Sequence, residues 1–232
     1  MKKSNLYLAL FFAIILVFSC SKNDNGSNKV SGTIEYTTTG NHEFQIDAKN
    51  ITATITIIAA GGGGGGGVGS SGLSNSTGGG GGGGAGEAKT WENISLESNT
   101  LYTAVVGTNG LGGTINNNGT HGSKSSLKLG ATSLYETSAG NGGRSNTIGE
   151  NVGGNGGAGF PAGEKGGDGE FLDITWSGPA GEGGAGGNNG TNYGTGGAGG
   201  IGTAFNNATP IAGTNGLNGK DGYIKIEWAG EE

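Results

Sequence analysis

The clearest pattern along the chain is a strict alternation, Ile51-Thr52-Ala53-Thr54-Ile55-Thr56-Ile57, with apolar and threonine positions in turn. Period two is the mark of a strand with one buried face. A second alternation closes the chain: Ile224, Ile226 and Trp228 fall to one side, Tyr223, Lys225 and Glu227 to the other. Shorter β-prone stretches occur at residues 30–37, 42–47, 88–96, 101–106, 126–129 and 171–176. Thr39-Gly40-Asn41 reads as a hairpin turn between the first two. Past the N-terminal segment no helical period is sustained. The expectation is a mainly β fold with almost no α-helix in the mature chain.

The first alternating strand runs through Ile58-Ala59-Ala60 without a linker into seven glycines, 61–67. Seven more follow at 78–84, after the connecting residues 68–77. Such runs cannot be α-helical, because glycine costs about 1 kcal/mol per residue there relative to alanine. They also lack side chains to pack as ordinary strands. All but four of the 58 glycines (Gly26, Gly32, Gly40 and Gly230) fall within residues 61–222. Collagen is excluded by the three prolines and the absence of a persistent Gly-X-Y frame.

What recurs is Gly-Gly-X, at residues 153–159, 183–188 and 196–202. Period three matches the polyproline II helix, on which Gly-Gly-X bares two faces and keeps side chains on the third. The expectation is therefore a bundle of glycine-rich polyproline II-type (polyglycine II) helices beside the strands, with 61–67 and 78–84 as its inner pair. A flexible glycine linker is the competing reading. The direct wiring into strands, the kept tripeptide phase and the patterned closing strand favour the bundle.

The N-terminus adds an address. Met1-Lys2-Lys3, an apolar run over residues 6–18 and then Ser19-Cys20 read as a signal peptide, residues 1–19, too short for a comfortable membrane span. A short anchor helix or a buried helix is the alternative. Cys20 is the only cysteine, so no intramolecular disulfide forms. Val17-Phe18-Ser19-Cys20 resembles a bacterial lipobox, and Ser21-Lys22-Asn23-Asp24-Asn25 resembles the export tags of Bacteroidota surface lipoproteins. That resemblance implies acylation, including palmitate, at Cys20, a polar tether over 20–29 and an outer-membrane, surface-exposed location. An inner-leaflet or periplasmic lipoprotein is the alternative. The net charge of −6 deepens when Lys2 and Lys3 leave with the signal. An acidic chain of this kind argues against nucleic acid and anionic membrane surfaces as partners.

Three stretches together resemble the glycine-rich domains of bacteria and phages. They are residues 54–67 leading to Gly78–Glu87, Leu101–Gly107 with Gly110-Leu111-Gly112-Gly113, and Gly216–Trp228. The resemblance covers residues 30–232, expected to form a single domain. Relatives of this kind occur in receptor-recognising tips of phage tail fibres and in anaplastic-lymphoma-kinase-type receptors. It implies polyglycine II helices bundled beside a β portion, with contact made through the joining loops.

No motif for catalysis survives inspection. Gly-x-Gly-x-x-Gly recurs through composition alone, with no strand–helix unit behind it. Residues 119–125 lack the glycine before lysine that a phosphate loop needs. Residues 166–173 contain one degenerate unit of a calcium-binding repeat, without stacked copies. His42 and His121 have no zinc-ligand context. The expectation is no enzyme, no cofactor and no metal.

Polar loops with aromatics remain: Asn116, Asn117, Asn118 and His121; Arg144; Asn189 and Tyr193; and Phe205. Amides bond sugar hydroxyls and aromatic rings stack on sugar faces, so these are candidate contacts for a cell-surface glycan or protein ligand. The plainer reading is that Asn and Thr simply build turns. The leading functional expectation is a surface-anchored, non-enzymatic lipoprotein that displays loops for adhesion or recognition. The alternatives are a structural component that self-associates through flat glycine faces, and an ice-binding protein.

Overall fold

The computed structural model describes residues 28–70, 76–169, 179–206 and 209–232. The signal segment, Cys20 and the strand expected at 171–176 lie outside the described residues. Among those described there are ten strands and no helix. The described residues are all-β, and nearly every strand expected among them is present.

Strands β1 (Lys29–Tyr36), β3 (Lys49–Ile58), β4 (Ala88–Leu96) and β10 (Tyr223–Glu231) form one antiparallel sheet in the order β1-β10-β3-β4. Strands β2 (Gly40–Phe44), β5 (Tyr102–Val106), β6 (Ser125–Leu129) and β7 (Thr132–Thr137) form a second, in the order β2-β5-β6-β7. Period-two alternation turns Ile51, Ala53, Ile55 and Ile57 of β3 inward with Ile224, Ile226 and Trp228 of β10. They meet Phe44, Tyr102, Ala104, Val106 and Leu127 from the facing sheet. Ile55, Ile57, Ile224 and Ile226 are fully buried, each worth about 1.5–3 kcal/mol of transfer free energy. The result is a β-sandwich.

One expectation fails. Residues 39–41 do not close a hairpin; β1 pairs with β10 and β2 with β5, so the chain crosses between sheets there. The closing strand offers β1 an eight-residue register, from Lys29 opposite Glu231 to Tyr36 opposite Ile224, which a hairpin with the five-residue β2 would forfeit. Gly40 takes φ +117 at the crossing, a conformation that favours glycine. Tyr36 still meets β2 across the crossing, its ring stacked 4.7 Å from His42.

Beyond Ile58 the chain leaves the sandwich, and hydrogen bonding changes from two directions to six. The N–H groups of Gly61, Gly64 and Gly67 donate to the carbonyls of Lys220, Leu217 and Thr214. Those of Gly62 and Gly65 go to Gly84 and Gly81, and those of Gly63 and Gly66 to Thr120 and Asn117. The carbonyls of the same run accept from Gly110 and Gly113, from Gly197 and Gly200, and from Gly143. Every third residue thus points at the same neighbour, and residues 61–67 have six neighbouring segments. Residues 78–84 are equally surrounded. From Gly79 to Gly84 their N–H groups reach 141–144, 164–167 and 197–200 in turn, and their carbonyls accept from 154–157, 184–187 and 62–65; Gly78 donates to Glu150 O and accepts from Val68 N–H.

Eight outer segments enclose this pair among the described residues: 107–116, 117–123, 140–145, 151–158, 161–169, 181–187, 194–203 and 213–222. Each bonds to the next, and the last returns to the first through Gly216 N–H to Gly113 O. Segments 140–145 and 194–203 touch both inner runs, which arranges the ten in layers of three, four and three. Both inner runs are buried throughout. A Cβ on Gly81 would overlap the carbonyl oxygen of Asn155, and one on Gly83 that of Gly62. Outer segments repeat buried, exposed, half-buried: Gly181, Glu182, Gly183, then Gly184, Ala185, Gly186. Glycine at the inward position of each triplet is what lets the backbones approach.

The connections give the molecule two poles. Asn28 and Glu232 meet at the sandwich end remote from the glycine segments, where Asn28 Nδ2 donates to Glu232 Oε2 at 2.8 Å. Residues 114–118 and 145–151 and the hairpin of β8 (Ala204–Asn206) with β9 (Thr209–Ile211) lie at the opposite pole.

Candidate functional site

The expected contact residues divide between the two ends of the glycine segments. Asn116, Asn117 and Asn118 form the remote turn between segments 107–116 and 117–123, and all three are exposed. Arg144 is exposed nearby on segment 140–145; its backbone carbonyl accepts from Gly81 while its side chain faces outward. Asn118 and the residue after Arg144 are joined directly, Ser145 N–H donating to Asn118 Oδ1 at 2.9 Å. These four therefore form one cluster at the remote end. His121, Asn189 and Tyr193 lie at the sandwich end instead.

Phe205 is corrected by the structure. It is 3% exposed in β8, one of the buried apolar residues, so its ring offers no face to a ligand. In the β8–β9 hairpin it is Asn206 and all of β9, Thr209 to Ile211, that are exposed.

Most of the other side chains are engaged with backbone. In an outer segment, at least one N–H in three lacks a carbonyl partner, and in 107–116, 151–158 and 181–187 two in three do. Side chains of the adjacent segment fill part of that need at the same period. Asp221, Asn218 and Asn215 accept from the N–H groups of Asn109, Gly112 and Ile115 at 2.8, 2.8 and 3.2 Å. His121 Nδ1 and Asn118 Oδ1 do the same for Gly142 and Ser145. Thr120 serves Leu111, Thr214 serves Ile201, and Asp168 serves Gly153. The Gly153 N–H, followed by Lys165, holds the Asp168 carboxyl below the usual aspartate range. These side chains form columns that finish the lattice where backbone runs out.

The remaining candidates are tied similarly. Asn116, at φ +65, accepts from Gly69 N–H at 2.6 Å, and Asn117 Nδ2 donates to Thr114 Oγ1. Asn189 Nδ2 donates to Gly86 O, and Asn189 Oδ1 accepts from Thr191. Tyr193 stacks on Tyr223 at 4.5 Å and 12°. Burial there, with Glu35 beside it, raises the Tyr223 phenol well above its ordinary range. The columns went unseen in the sequence, though the spacing of Asn215, Asn218 and Asp221 is their signal.

Among the described residues, no group of three or more His, Cys, Asp or Glu is placed to hold a metal ion. No described helix is long and apolar enough to cross a membrane. What the described residues define is an all-β fold with a glycine interior beside its sandwich, the side chains of the glycine region spent on the rim. The family model for the glycine-rich domain matches residues 37–230, and the chain belongs to that family. No curated protein matches it.

Proposed function

We propose that the chain is a surface-anchored, non-enzymatic lipoprotein, held through acylated Cys20, whose glycine segments are polyglycine II helices forming a rigid stalk. The stalk presents its remote loops for adhesion or recognition. The observation that carries this reading is the polarity of the molecule. Asn28, next to the tether, lies at one pole, and the cluster of Asn116, Asn117, Asn118 and Arg144 lies toward the other. An anchor at residue 20 then directs that cluster away from the membrane. Acyl chains contribute about 0.8 kcal/mol per buried methylene, so a multiply acylated cysteine is a stable anchor.

The three-residue hydrogen-bond period supports the helical assignment, being the period of polyproline II. Rigidity follows from the six-fold bonding of both inner runs. The exposed amides of Asn117 and Asn118 and the Arg144 guanidinium suit a polar, hydroxyl-rich ligand such as a surface glycan.

The test is binding of the soluble chain beyond Cys20 to glycan arrays and whole cells. Arg144→Ala and Asn117→Ala should weaken binding at unchanged melting temperature, while Tyr193→Ala leaves binding intact. Loss of binding with Tyr193→Ala alone would move the contact to the sandwich end and refute this assignment.

Assembly is the second reading, and one observation favours it. Leu217 and Ile201, on adjacent outer segments of one three-segment layer, are 63% and 48% exposed. Concentration-dependent oligomers that dissociate on Leu217→Ser would support it.

A further inference from the structure

Asparagine followed by glycine is the dipeptide most open to spontaneous deamidation, because the glycine nitrogen attacks the side-chain amide without steric hindrance. The described residues hold seven such pairs, beginning at Asn109, Asn118, Asn141, Asn155, Asn189, Asn215 and Asn218. The reaction needs the glycine N–H free, since its nitrogen must lose the proton and turn toward the amide carbon. Six of the seven glycines have that group engaged. Gly110 donates to Gly61 O, Gly119 to Gly143 O, Gly216 to Gly113 O and Gly219 to Gly110 O, all at 2.8–2.9 Å. Gly190 donates to Asn188 Oδ1 at 2.9 Å and Gly142 to His121 Nδ1 at 3.3 Å.

Gly156 is the exception: its N–H has no partner among the described residues, and Asn155 beside it is exposed. The column explains why. Gly166 and Gly163 donate to Gly154 and Gly157, and Asp168 accepts from Gly153. Three residues along that antiparallel register, the position that should cap Gly156 is Lys165. An ammonium only donates, and Lys165 turns to Asp168 at 2.8 Å instead. The lattice therefore leaves one Asn–Gly pair unlocked.

We propose that Asn155 is a spontaneous modification site, converted to aspartate and isoaspartate in the folded protein while the other six described pairs are protected. The Gly156 nitrogen, deprotonated by solvent base, forms a bond to Asn155 Cγ. The tetrahedral intermediate collapses by breaking the Cγ–Nδ2 bond, and ammonia leaves with a proton from solvent. Water then opens the resulting succinimide at either carbonyl. The balance is one amide and one water giving one carboxylic acid and one ammonia. The product adds a negative charge to an outer segment whose neighbour already carries Asp168.

The experiment is prolonged incubation of the intact folded chain at mildly alkaline pH, followed by peptide mapping in heavy-oxygen water. Asn155 should deamidate about tenfold or more faster than Asn118, Asn215 or Asn218, the factor that one lost hydrogen bond represents. In denaturant that preference should vanish. Lys165→Asn, which restores an acceptor opposite Gly156, should slow Asn155 at an unchanged melting temperature, with Asn155 scored by fragment ions apart from the Asn–Gly pair that the substitution makes with Gly166. Equal rates at the four sites in the folded chain, or a preference that persists in denaturant, would overturn the proposal. Failure of Lys165→Asn to slow the reaction would remove the column as its cause.

Discussion

The sandwich and the glycine lattice solve the same problem by opposite means. In the sandwich, interior space is filled by side chains: Ile55, Ile57, Leu127, Ile224 and Ile226 are fully buried between two sheets. Backbone hydrogen bonds there run within each sheet, and stacked sheets stand about 10 Å apart because side chains hold them there. In the lattice the interior is backbone itself. The inner runs are buried as completely as the isoleucines, yet have no side chain to bury. Stabilisation has to come from hydrogen bonds satisfied in six directions and from the Cα–H···O contacts that close backbones permit, each about 0.5–1 kcal/mol. Glycine here is a core residue. The two regions should therefore fail in opposite ways, one when carbon is removed and the other when it is added.

The largest effect is expected from adding carbon to the lattice. Gly81→Val places atoms where the Asn155 carbonyl stands. Overpacking ordinarily costs about 1–3 kcal/mol, and here rigid backbone on several sides leaves nothing to give, so the loss should reach or exceed the top of that range. Thermal melting measures it. Ala185→Val, on an outer segment but facing solvent, should shift the melt little; an equal drop in both would mean that the comparison between faces is wrong. Removing carbon from the sandwich is the next test. Ile55→Val should cost about 0.5–1.5 kcal/mol, less than Gly81→Val.

The third effect is smaller and concerns the rim of the lattice. Asn218→Ala deprives the Gly112 N–H of its acceptor. Gly112 is only half-buried, so water substitutes and the cost should fall to about 0.5 kcal/mol, the low end for a hydrogen bond. Asn218→Asp keeps the acceptor and should melt like the parent. A loss as large as that of Gly81→Val would show that the columns, rather than the inner runs, hold the segments together.

These contrasts mark how much of the molecule could be read in advance. The strands β3 and β10 were legible because a buried face imposes period two, and the glycine interior because Gly-Gly-X repeats at period three. Strand β7 was missed: Leu134 is 41% exposed, so Thr132–Thr137 carries no clean apolar face to announce it. The turn at residues 39–41 does not close the expected hairpin, because a turn signal states that the chain bends, not which strand it joins next. The candidate contacts were legible as polar loops but not as rim columns. Asn218 and Gly112 are 106 residues apart, and only the folded register shows that each amide serves a backbone donor. Phe205 reads as a loop aromatic in the sequence, and only the folded chain shows it 3% exposed in a short strand.

The smallest predicted effect separates the two regions by pH. Burial pushes the Tyr36 phenol up to about 12 from an ordinary 10.0, and its hydroxyl finds no hydrogen-bond partner among the described residues. The folded value lies above the unfolded one, so the folded chain retains a proton that the unfolded chain releases in this range. The associated stability is complete below about pH 10 and is lost as pH rises toward 12. Tyr36→Phe removes the titration together with the unpartnered hydroxyl. At neutral pH it should melt at the parent's temperature or slightly above, by a few tenths of a kcal/mol. Between pH 10 and 12 its advantage over the parent should widen. The inner glycine runs have no side chain to titrate, so this alkaline loss belongs to the sandwich. Near-ultraviolet signals of the sandwich aromatics should decline before amide-exchange protection at Gly64 or Gly81 does. Simultaneous loss of both would instead mean that sandwich and lattice melt as one cooperative unit, with the backbone core depending on the side-chain core to stay closed.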